Sequence, residues 1–315
     1  MKNNKTSNWF QSDECKLFYE SLGFIEPFKY SIFRNGVSKG RIIGYIQKDG
    51  GKIKRFLSRR AIINGGPMLA EDITEEELYT LLRNCRTGLK RKAIYIETRN
   101  FEDYSAYKAL FESNGWSYEP HYNFHIDTSS PELVESNLGK SRKRDIRTSL
   151  RDGATFGEAS SIEEVKELYE LLSSLYRTKV KTPLFPFEFF EKLYREPFGK
   201  IFVVKFEGKV VGGTVCVCGD DTVYEWFACG KDGISKSVFP STLATYAGIR
   251  YAAENRYKRF DMMGAGTPGD GGYGVRDFKE KFGGELVEHG RFKCILNKPL
   301  YAIGTLGVKI LKKLK

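Results

Sequence analysis

Histidine is scarce in this chain, three in 315 residues, and no stretch reaches the about 18 consecutive apolar residues that a membrane-crossing helix needs. The first residues, MKNNKTSNWFQSDE, contain no apolar run that could serve as a signal peptide, so a cytoplasmic location is expected. Six cysteines (Cys15, Cys85, Cys216, Cys218, Cys229 and Cys294) lie scattered, which excludes a disulfide-built mini-domain and fits free thiols. There is no Walker sequence, and no Ser, His and acid set suggests a covalent hydrolase. His121 and His125 share a strand face with Asp127, but His289 is the one other histidine. No metal site is therefore expected, and the pair reads as the polar outer face of an edge strand.

What is present is charge and glycine. Lys and Arg number 51 against 40 acids, a net charge of +11 that favours polyanionic partners. From Arg259 to Gly284 the chain reads RFDMMGAGTPGDGGYGVRDFKEKFGG: a short apolar strand, then six glycines in eleven positions, then a basic-aromatic segment. Glycine at this density permits close approach of backbone to ligand, and Arg276, Lys279 and Lys281 beyond it suggest a negatively charged one. Gly264-x-Gly266-x-x-Gly269 formally matches a dinucleotide fingerprint, but Pro268 interrupts it and the next helix starts only near Val275.

The pattern along the chain is that of a mixed α/β protein whose element order occurs twice. Strands are expected near 28–33, 41–47 and 53–57, with Asn35-Gly36 as a turn. Thr74 and Glu77 form a capping box for a helix that Gly88 should stop, and AIYIE, Ala93 to Glu97, is a buried strand. KSRKRDIRTSLRDG, 140–153, sets Lys140, Arg144, Arg147 and Arg151 at helical spacing, either a phosphate-binding stripe or a solvated face. A second round follows: a capping box at Ser161 and Glu164, a helix at 186–194, a hairpin turn at Glu207-Gly208, a strand with Tyr224 and Trp226 on one face, a helix at 240–255, the glycine-rich loop, and one last strand over 285–296. Two domains are expected, 1–145 and 146–296. The tail from 297 carries apolar residues on one helical side and five lysines without an acid. It suits packing on the body or peripheral contact with an anionic membrane.

A site with a glycine-rich loop, cations and aromatics but no nucleophile suits transfer to a substrate that brings its own nucleophile, such as an amine. The stretch from Gly272 to Gly284, YGVRDFKEKFGG at its heart, resembles the closing FK-x-x-FG signature of Fem-type aminoacyltransferases, tandem members of the GNAT superfamily. Phe10-Gln11-Ser12, Gly65-Gly66-Pro67, Ser141 to Gly153 and Tyr257 to Met262 are similar to further family segments in the same order. The resemblance implies two GNAT-like domains, with 297–315 returning to the first, and acyl or aminoacyl transfer to an amine of a cell-wall or polysaccharide precursor. It implies a transfer-site role for Lys279, an acceptor-orienting role for Glu97, and substrate binding by Arg177 and Tyr224; Trp226, Arg276 and Lys281 join these from the residue pattern. The donor would be aminoacyl-tRNA or acyl-CoA with no tightly bound cofactor, and the acceptor a nucleotide- or lipid-linked sugar precursor. The loop 230–240 departs from the pattern that holds the acyl-CoA pyrophosphate in ordinary GNAT enzymes. An N-acyltransferase of exopolysaccharide or capsule synthesis, and a non-catalytic module binding RNA or membrane, are the alternatives.

Overall fold

The computed structural model describes residues 8–48, 56–180, 182–270 and 274–313. The strand expected over 53–57 falls largely outside them. Two compact units divide the chain, 8–121 with 288–315, and 122–287. The second unit thus starts earlier than the expected 146, because the strand Tyr122–Asp127 pairs with Arg259–Asp261 in the second sheet.

In the first unit, α1 (Asp13–Ser21) precedes the hairpin β1 (Ile25–Arg34) and β2 (Val37–Gln47). Asn35 and Gly36 both take positive φ, 49° and 76°, as a two-residue turn between twisted strands requires. Then come β3 (Arg60–Gly65), β4 (Met68–Leu69), α2 (Glu75–Leu89), β5 (Tyr95–Asn100), α3 (Lys108–Ser113) and β6 (Ser117–Glu119). The capping box at Thr74 is present: its hydroxyl accepts from the Glu77 amide, and the Glu77 carboxylate accepts from the Thr74 amide. Gly88, expected as the stop, lies inside α2. A Cβ there would meet the Tyr30 hydroxyl at 2.2 Å, so the glycine serves packing against β1 and not termination. The sheet order is β1-β2-β3-β5, then the strand Arg291–Ile295, then β6, with β4 beside β2. Ile42, Ile63, Leu78, Leu82, Phe111 and Phe292 are buried in the core beneath α2.

The second unit opens with β7 (Tyr122–Asp127), α4 (Pro131–Asn137) and α5 (Lys140–Arg151), followed by β8 (Thr155–Glu158), α6 (Ile162–Leu175) and α7 (Phe187–Arg195). Strands β9 (Gly199–Phe206), β10 (Lys209–Cys218) and β11 (Thr222–Gly230) form a meander. Then α8 (Pro240–Glu254) crosses to β12 (Arg259–Asp261), which lies parallel to β11, and α9 (Gly274–Glu280) and β13 (Glu285–Glu288) complete the unit. The sheet order is β13-β7-β12-β11-β10-β9-β8. Ser161 does accept from the Glu164 amide, but the Glu164 carboxylate turns to Ser160 and Lys205, so the second capping box is only half formed. The single last strand expected over 285–296 is two, because Gly290 at φ 61° breaks it: β13 joins the second sheet and β14 (Arg291–Ile295) the first. The terminal helix α10 (Lys298–Lys313) follows.

Candidate active site

The site in the second unit begins with two strands that part. Parallel pairing of β11 with β12 covers Thr222↔Arg259 to Tyr224↔Asp261, after which β11 runs on to Gly230 while β12 ends. Beyond Asp261 the chain follows β7 instead: the Met262 amide donates to Phe124 O, and the Ala265 amide to Tyr122 O at 2.7 Å. On its other edge β11 carries a bulge, since Val215 faces Phe227 and Cys216 faces Glu225, leaving Trp226 as the extra residue.

Buried polar groups gather where the strands separate. Lys279, reaching in from α9, donates from Nζ to Met262 O and to Gly264 O, the latter at 2.9 Å, and lies 3.8 Å from Glu225 Oε2. Glu225, on β11, is buried beside Thr214. Burial pushes its carboxyl above the ordinary range, with Lys279 pulling the other way. Burial lowers the Lys279 ammonium, opposed by Glu225 and Asp261. Asp261 has no exposed surface; it accepts from Asn123 Nδ2 and from the Met263 amide, both at 2.7 Å, and His125 Nε2 stands 3.2 Å away. The Asn123 carbonyl in turn accepts from the Gly264 amide. Met263 sits between these anchors at φ 52°, a left-handed conformation unusual for a side chain of that size, and the surrounding bonds over-determine it. The polar edge-strand reading of His125 is corrected here: β7 lies between β13 and β12, and His125 faces Asp261 from inside the sheet.

The FKEKFGG segment now has a physical reading. Phe278 and Phe282 stack under the guanidinium of Arg142, 4.3 and 5.0 Å from their ring centroids. Arg142 also binds Asp145, Thr242 and Phe278 O, which ties α5, α8 and α9 together. Gly283, at φ 81°, leaves no room for a Cβ against Asn137 O. With the two rings fixed, Lys279 can only point inward. Of the remaining cations of α5, Lys140, Arg144, Arg147 and Arg151 are exposed, as on a solvated face, and Lys143 is half-buried.

The other residues singled out in the sequence lie in different settings. Arg276 staples the glycine-rich loop: it donates to Ala265 O, Thr267 O and both oxygens of Asp270, at 2.8–2.9 Å. Tyr224 is 1% exposed, and Trp226 packs edge-on to Phe189 at 4.9 Å within an aromatic cluster that includes Phe185 and Phe227. Arg177, in the π-turn 176–180 after α6, and Lys281 are both exposed. Glu97 belongs to the first unit, on β5. Glu225, Asp261, Asn123 and His125 were missed, although acids inside the apolar runs TVYEWFACG and RFDMM were a signal for the first two.

The N-terminus of α8, which in a GNAT-type fold would meet an acyl-CoA pyrophosphate, is already engaged by the chain. Pro240 supplies no amide, the Ser241 amide and hydroxyl donate to Asp232, at 3.3 and 2.6 Å, and the Thr242 and Leu243 amides donate to Phe239 O. A carboxylate placed there repels a phosphate, so the residues present do not fit that group.

Parallel strands joined by a helix occur in both units, β3 with β5 across α2 and β11 with β12 across α8. Residues 140–280 match the acetyltransferase (GNAT) domain family, and the fold is that of tandem GNAT proteins. The chain thus carries an acetyltransferase (GNAT) domain over residues 140–280. It is similar to FemX (15% identity, TM-score 0.71, 95% of each chain covered). It is also similar to L-PGS from Bacillus licheniformis (16% identity, TM-score 0.58, 95% of this chain and 92% of that one). A third likeness is to a tandem GNAT protein from the clavulanic acid biosynthesis pathway (10% identity, TM-score 0.55, 87% and 84%). No curated protein matches.

Proposed function

We propose that the protein transfers an aminoacyl group from aminoacyl-tRNA to an amine of a nucleotide- or lipid-linked cell-wall or polysaccharide precursor. The observation that carries this reading is the largely buried Lys279, 13% exposed, at the parting of β11 and β12, an investment that a purely electrostatic RNA- or membrane-binding module does not need. The amine attacks the ester carbonyl carbon, the new C–N bond forms, the ester C–O bond breaks, and the proton that the amine loses passes through solvent to the departing tRNA hydroxyl oxygen. Lys279 offsets negative charge developing on the carbonyl oxygen and holds the strand end that shapes the gap. Arg177, Lys281 and the edge of Trp226 supply contacts to the anionic and sugar parts of the substrates, and Tyr224 and Arg276 support the strand and loop beneath them. Glu97, ionised, orients the accepting amine.

Asp232 at the α8 N-terminus favours aminoacyl-tRNA over acyl-CoA, and the net charge of +11 suits tRNA and the precursor's phosphates. Mass spectrometry of products formed from cell extract with each donor tests this. Product with aminoacyl-tRNA and none with acyl-CoA is expected; the reverse would refute the donor. A peripheral membrane contact, bringing the enzyme to a lipid-linked acceptor, is favoured by α10, where Ile303 and Leu306 are 54% and 59% exposed on a helix with no acid. No helix among the described residues is long and apolar enough to cross a membrane.

A further inference from the structure

One face of the first sheet carries a charged floor that the reading above uses only at Glu97. Glu97 on β5 faces Lys293 on β14 in the ladder, and Arg291 faces Glu119 on β6. Lys293 closes on both oxygens of Glu119, at 2.7 and 2.8 Å, leaving Arg99 and Arg291 to share Glu97. They share one atom of it: Arg99 Nε is 3.2 Å, and Arg291 Nη1 3.5 Å, from Glu97 Oε1. Arg291 Nη2 donates to His121 Nε2 at 2.9 Å, and because a guanidinium can only donate, that ring nitrogen carries no proton. Arg291 Nε is buried without a hydrogen-bond partner. Two guanidinium groups thus converge on one carboxylate oxygen. Both side chains keep some access, 36% exposed for Arg99 and 26% for Arg291.

Burial pushes the Glu97 carboxyl up, but the charges of Arg99 and Arg291 outweigh it and hold the group below the ordinary carboxylate range. Burial and the neighbouring Arg99 lower Arg291. A ligand carboxylate relieves that repulsion and matches the planar fork of a guanidinium. Glu97 meanwhile remains an anion beside the same spot, suited to an ammonium.

We infer that Arg99 and Arg291 bind a carboxylate of the acceptor next to Glu97, so the acceptor presents an amino-acid-like group, with amine and free carboxylate close together. This rests on the amine-acceptor reading above. Calorimetry with the dipeptide Ala-Lys, its C-terminal amide and inorganic phosphate tests it on the full chain without donor. The free acid should bind about tenfold or more tighter than the amide. Arg291→Gln and Arg99→Gln should abolish that preference, while Arg291→Lys, which keeps the charge but loses the fork, should retain only part of it. Equal binding of acid and amide, or a preference that survives both Gln substitutions, overturns the site, and binding of phosphate in place of the dipeptide overturns the carboxylate. Arginine-dependent binding without transfer activity would leave this site standing and defeat the transferase reading instead.

Discussion

The ammonium of Lys279 stands 3.8 Å from the Glu225 carboxylate, while its hydrogen bonds go to the carbonyls of Met262 and Gly264. The lysine is therefore part of the fold as well as of the site. Lys279→Ala should abolish transfer and also destabilise the protein by about 3–5 kcal/mol, because it leaves a buried carboxylate without its cation and two carbonyls without their donor. Lys279→Met combined with Glu225→Gln should recover much of that loss in urea denaturation yet remain inactive. Full activity in the double variant would remove Lys279 from the chemistry.

Asp261 gives the acid limb of stability. Burial pushes its carboxyl up, but His125, the Asn123 hydrogen bond and Arg259 outweigh burial and hold it below the ordinary value. A depressed carboxyl stabilises the folded state above the unfolded value, about 3.9, and that contribution is lost as pH falls through the folded value. Asp261→Asn should therefore be less stable at neutral pH and show a flatter loss of stability on acidification below about pH 4. Parallel curves for the two proteins would contradict this.

Arg276 and Asp270 should behave as one unit. Each replaced alone by Ala is expected to cost about 1–2 kcal/mol, and the double variant less than the sum, since the same ion pair is lost in each. Additive losses would mean that the loop is held by something else.

The exposed side of α10 can be read with vesicles. Ile303→Asn with Leu306→Asn should reduce co-sedimentation with anionic vesicles severalfold, and salt should weaken binding of the unsubstituted protein. Equal binding to neutral vesicles would exclude the electrostatic part.

Much of the local structure was legible in the sequence. The capping box at Thr74, the turns at Asn35-Gly36 and Glu207-Gly208, and the repeated element order follow from short-range rules: a side chain capping its own helix, or a backbone needing positive φ. The inward course of Lys279 was half legible, since the phenylalanines that flank it announce packing but not Arg142, their partner from α5. What the tertiary structure alone decided is long-range. Glu225 and Asp261 are separated along the chain by the whole of α8 and come near one lysine only because β11 and β12 pair for three residues and then part. Gly88 reads as a helix stop until Tyr30 lies against it, and 285–296 as one strand until Gly290 sends its halves to different sheets. Periodicity specifies which face of an element is apolar; only the fold specifies which charge waits opposite a buried one.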